Sequence, residues 1–123
     1  MRPYTKKRSL RNREAAPFRR AFLLEIGRCE LCGRRYGLEV HEIARGNANR
    51  VKAMDQRCAV LCVCWACHAG KLSSRAEWPE ARQLAALRRS RPGDYDLAAF
   101  NALVGRGPER VTEEEVQQWT KET

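Results

Sequence analysis

The sequence predicts an α+β fold, a short β-hairpin set between helices, and three observations lead there. Two Cys-x-x-Cys pairs, Cys29/Cys32 and Cys64/Cys67, bracket two short apolar runs at 38–43 and 59–63. Apolar residues recur at helical spacing before the first pair and again after the second. Charged residues make up 32% of the 123 positions, which leaves less apolar surface to bury than a chain of this length usually has, so a staple is expected.

Residues 1–14 carry Lys6, Lys7, Arg8, Arg11 and Arg13 with little apolar content, and they read as a disordered basic arm that orders on a polyanion. From 15 to 26, Ala15, Phe18, Phe22 and Ile26 mark one face of a first helix, which Gly27 can end. Cys29-Glu-Leu-Cys32-Gly33 suits a knuckle in which two thiolates sit on a tight turn relaxed by glycine. The runs at 38–43 and 59–63 read as strands, and the polar stretch 44–56 between them as an irregular loop. Cys64-Trp-Ala-Cys67-His68 opens a short helix. Beyond Lys71 the pattern turns helical, with Leu84, Ala85 and Leu87 inward over 79–89 and Leu97, Phe100 and Val104 inward over 94–104. Thr112 and Glu115 form a capping box for a last helix. The expected organisation is one domain: the arm at 1–14, a core at 15–78, and a helical extension at 79–123.

Four cysteines in two such pairs satisfy zinc, which prefers sulfur and a tetrahedral shell. Cys58 and Cys62 leave alternatives open, because either could stand in for Cys64; the knuckle spacing favours reading them as small buried side chains beside the site. Residues 1–13 are basic and polar, not an apolar leader, and no run approaches transmembrane length, so a membrane is not expected. An intracellular place follows, where paired cysteines hold metal more often than disulfides. The net charge of +9 and pI of about 9.7 point to a polyanion, nucleic acid first, with an acidic protein partner or simple solubility as the alternatives.

Cys29-x-x-Cys32, then Val40-His41-Glu42-Ile43, then Cys64-x-x-Cys67-His68, is similar to the zinc-containing branch of the HNH nuclease family over roughly residues 29–71. The resemblance implies a ββα-metal core stapled by zinc on Cys29, Cys32, Cys64 and Cys67. It also implies a second, catalytic divalent cation such as Mg2+, Mn2+ or Ni2+ on His41 and His68. The implied activity is hydrolysis of phosphodiester bonds in duplex DNA with low sequence specificity, in the cytoplasm of a bacterial or phage-infected cell. Where the family has a His as general base, this sequence has Glu42, a weaker base at its ordinary pKa. A shifted arrangement, in which His41 is the base and Glu42 or Glu39 binds metal, stays open, as does a non-catalytic module on the same scaffold. The family's central Asn has no counterpart in Arg57-Cys58-Ala59-Val60. Arg45, Arg50 and Lys52 in the loop, with Lys71 and Arg75, are the expected phosphate contacts. The helical residues from 79 onward could pack on the zinc core, make a dimer contact or dock a protein partner, and Arg88, Arg89 and Arg91 could extend the cationic surface or equally be a solvated face.

Overall fold

Two antiparallel strands, β1 (Leu38–Glu42) and β2 (Val60–Cys64), form the centre of the computed structural model, which describes residues 6–104 and 110–121. The register pairs Leu38 with Cys64, Val40 with Cys62 and Glu42 with Val60. Strand alternation then sends Val40, Val60 and Cys62 to one face, where Phe22 covers them, and Leu61 and Val63 to the other, where the later helices pack. All five β2 residues are buried because both faces are covered, which is why its sequence is apolar without a break.

The first helix is longer than expected. α1 (Lys6–Ile26) takes in residues 6–14 of the expected disordered arm; residues 1–5 lie outside the described residues. A tertiary anchor holds its amino-terminal half: Arg11 donates to both oxygens of Asp55 at 2.9 and 2.6 Å and to the carbonyl of Val51 at 3.1 Å. Pro17 lies inside α1 and removes one backbone donor, while Ala15 and Phe22 on either side are buried. Gly27, at φ 64°, ends the helix, and its N–H closes on the Leu23 carbonyl.

The segment between the strands is not an irregular loop. It contains α2 (Asn47–Ala53), a helix with a single buried residue, Ala53, and therefore no apolar periodicity to announce it. α3 (Trp65–Ala69) starts directly from Cys64, whose sulfur accepts the Cys67 N–H. α4 (Glu80–Ser90) buries Ala81, Leu84, Ala85 and Leu87. A turn at Pro92–Asp94 leads to α5 (Leu97–Val104), which begins three residues later than its apolar spacing suggested because Asp96 caps it by accepting the Ala99 N–H at 2.9 Å. α6 (Glu113–Lys121) starts with the expected capping box: Glu115 N–H donates to the Thr112 hydroxyl, and the Thr112 N–H donates to the Glu115 carboxylate.

Arg91, expected to be solvated, is buried instead. Its guanidinium donates to Glu30 in the first cysteine knuckle at 2.7 Å, across 61 positions of sequence, and to the Val60 carbonyl. Glu30 in turn accepts the Cys62 N–H at 2.8 Å. The end of α4 is thus tied into the hairpin core. No helix among the described residues is long and apolar enough to cross a membrane.

Candidate functional site

Cys29, Cys32, Cys64 and Cys67 come together with their sulfurs all within 4.8 Å of one another. A tetrahedron with Zn–S bonds near 2.3 Å has sulfur–sulfur edges of about 3.8 Å, and the Cys32–Cys64 pair lies at 3.6 Å. The donor set fits a metal ion such as zinc. The Leu31 and Cys67 N–H groups donate to the Cys29 and Cys64 sulfurs, each at 3.4 Å. The bond from Cys67 draws the Cys64 thiol down to about 7, while burial pushes the Cys67 thiol well up. Four thiolates at this separation need a cation between them. Cys62 is buried against Phe22 and Val40, and burial raises its thiol to about 11; Cys58 is half-buried, and neither belongs to the sulfur cluster.

His41 on β1 and His68 on α3 meet edge to face, with ring centroids 5.0 Å apart. Each has one nitrogen committed. Gln83 on α4 donates its amide N–H to the Trp78 carbonyl at 2.9 Å, so its oxygen is the atom that meets His41 Nε2 at 2.8 Å. That nitrogen must carry the proton, which leaves Nδ1 as the lone-pair nitrogen of the neutral ring. Burial pushes His41 down to about 4, with His68 and Arg50 acting the same way, so the ring is neutral at neutral pH. His68 donates its Nδ1 proton to Glu39, leaving Nε2 free, and a histidine whose other nitrogen is held by a carboxylate is oriented as metal ligands commonly are.

Glu42 does not join this pair. It neighbours His41 on β1, so alternation turns it toward α1, where Arg19 grips its carboxylate at 3.1 Å and the Val40 carbonyl at 3.2 Å. Glu39, two residues before His41 and on its face, is the carboxylate beside the histidines. Glu42, expected beside the histidines from the resemblance, lies on the opposite face of β1 from His41.

A cavity of about 130 Å³ opens beside His41, lined among others by Arg45, Arg50, Arg75, Glu80, Gln83 and Arg110. Buried Glu80 engages Arg110 at 2.9 Å and accepts the Arg45 N–H at 2.8 Å. Arg50 and Arg75 have no carboxylate partner among the described residues, so two cations face the cavity uncompensated. Of the five expected phosphate contacts, Arg45, Arg50 and Arg75 are gathered here. Lys52 is not: it lines a groove against α1 with Lys7, Leu10 and Arg11. Lys71 is exposed on the turn after α3 and does not line the cavity.

Sequence reasoning missed Gln83, Glu80 and Arg110. The signal available for the first two was a polar residue on the apolar face of α4; Arg110 offered none. Among the described residues, the four cysteines form the only group of three or more metal-ligating side chains this close together. No protein-family model matches the chain, and no curated protein or solved structure matches it.

Proposed function

We propose that the chain is a metal-dependent endonuclease of the HNH type that hydrolyses phosphodiester bonds in DNA. The observation that carries this reading is the meeting of His41 and His68, the two histidines of the chain, with His41 lining a cavity that is also lined by Arg50 and Arg75, which have no carboxylate partner among the described residues. The cysteine cluster takes a structural zinc. Nδ1 of His41 and Nε2 of His68 are the lone pairs that would hold a second divalent cation, and two imidazoles suit Mn2+ or Ni2+ better than Mg2+, which prefers oxygen. Such a cation supplies charge neutralisation on the phosphate when bound. Arg50 and Arg75 bind the flanking phosphates, Gln83 holds the His41 ring in its ligand tautomer, and Glu39 accepts a proton from the attacking water in place of Glu42.

Nicking of a supercoiled plasmid with added Mg2+, Mn2+ or Ni2+ tests the reading. His41→Ala removes divalent-dependent cleavage with zinc content unchanged. Glu39→Gln slows cleavage by about 100-fold or more, the range for loss of a general base, whereas Glu42→Gln stays within a few-fold of the unmodified chain. Unchanged cleavage in His41→Ala sinks the proposal.

A second reading is a non-catalytic zinc-stapled module that grips nucleic acid or protein. Glu42 held by Arg19, and the fact that among the described residues no third ligand atom lies close to both histidines at once, favour it. It requires salt-sensitive DNA binding with no turnover in any divalent metal.

A further inference from the structure

At the end of the hairpin nearest the cysteine knuckles, Tyr36 and Trp65 stand 69% and 60% exposed, the two exposed large aromatic side chains among the described residues. Gly37 and the start of α3 bring them to the same end of the hairpin. Gly37, at φ 65°, follows Tyr36, and a Cβ built on it would come within 3.0 Å of the Trp65 ring, so the indole lies against the Gly37 backbone. The Trp65 N–H donates to the Gly37 carbonyl at 3.0 Å, which fixes the start of α3 to the chain beside Tyr36. Arg34 places its guanidinium 5.2 Å from the Tyr36 ring centre. Arg28, Arg34 and Arg35 in the same stretch have no carboxylate partner among the described residues. The patch and the histidine site share two stretches of chain: Tyr36 lies three positions before Glu39, and Trp65 one helical turn before His68.

Two exposed rings on a rigid support, edged by uncompensated arginines, are the parts from which single-stranded nucleic acid is gripped. Rings stack on bases of any identity, and guanidinium groups neutralise the phosphates between them. Bases in an intact duplex already stack on each other and do not offer a face to such a platform. We propose that Tyr36 and Trp65 stack unpaired bases, with Arg28, Arg34 and Arg35 on the backbone, so that this chain's ligand is a nucleic acid with a single-stranded segment leading to the histidine site. This deepens the nuclease reading and rests on it for the position of the scissile bond; the binding itself does not.

The test is a titration of the zinc-loaded full chain with a fluorescein-labelled single strand and with a duplex of the same length, without added divalent cation. The single strand should bind more tightly and quench Trp65 emission. Trp65→Ala and Tyr36→Ala should each weaken single-strand binding about tenfold, as loss of one base–aromatic stack does, with little effect on duplex binding. Trp65→Phe should keep the affinity and lose the quench, which assigns the signal to Trp65 over Trp78 and Trp119. Equal affinity for single strand and duplex, or unchanged single-strand affinity in both alanine variants, overturns the proposal and leaves the patch to a protein partner. If plasmid nicking fails while Trp65-dependent binding holds, the nuclease reading falls alone; if nicking holds while the aromatic variants bind normally, this inference falls alone.

Discussion

Six cysteines within thirty-nine positions present a choice that single side chains resolve. Cys62 and Cys64 lie two residues apart on β2, but Cys64 ends the strand as the cap of α3, so its sulfur joins Cys29, Cys32 and Cys67 while Cys62, inside the strand, packs into the Phe22 cluster. Cys64→Ser should therefore abolish stoichiometric zinc and the cooperative fold together, whereas Cys62→Ala should keep the zinc and lose about 1–2 kcal/mol from a small buried cavity. Metal analysis beside thermal unfolding distinguishes the two; zinc retained in Cys64→Ser would reassign the ligand. At this scale the sequence was informative where chemistry demands spacing and silent where it does not. Two cysteine pairs announce a metal. Gln83 announces nothing, because a lone amide on an apolar helix face has many uses, and its partner lies 42 positions away.

Among the elements, those that bury an apolar stripe were readable: α4 and α5 through Leu84, Leu87 and Phe100, β2 through its unbroken apolar run. The amino-terminal turns of α1 and all of α2 were not, because their order comes from each other. Arg11 reaches from one to Asp55 and the Val51 carbonyl at the end of the other, and no periodicity records such a bond. The same holds for Arg91 at the end of α4, which sequence alone places on a solvated face. Its Glu30 partner is fully buried, so removing the guanidinium leaves an uncompensated carboxylate in the interior. Arg91→Met should cost about 3–5 kcal/mol, measured by denaturant unfolding of the zinc-loaded chain, while Arg35→Met, exposed in the first knuckle and without a carboxylate partner among the described residues, should stay within about 0.5 kcal/mol. Equal losses would show that Arg91 matters only through its aliphatic stem.

For the molecule as a whole, opposite charges join segments far apart in sequence. Arg57 bridges Glu25 of α1 and Asp94 before α5, and Arg91 also reaches Asp94 at 2.9 Å. These guanidiniums, Arg57 first, hold the Asp94 carboxyl below its ordinary value, and Arg11 does the same for Asp55. A carboxyl with a folded pKa below its unfolded one contributes stability above the unfolded value, near 3.8, and that contribution is lost as the pH falls through the folded value. The loss of stability between pH 6 and pH 3 should accordingly be smaller in Asp94→Asn than in the unmodified chain, by about 1 kcal/mol or less for a partly exposed pair. Identical acid limbs would show that Asp94 carries no part of it.

The reach of Arg91 to Glu30 also sets an order in time. A ribosome delivers the cysteine pairs and both histidines well before it delivers Gln83 and Arg91, so a growing chain holds metal ligands without the amide that orients His41 or the cation that neutralises Glu30. The orientation of His41 and the neutralisation of Glu30 then arrive only with α4, so the hairpin core is completed by a helix made after every one of the residues it steadies.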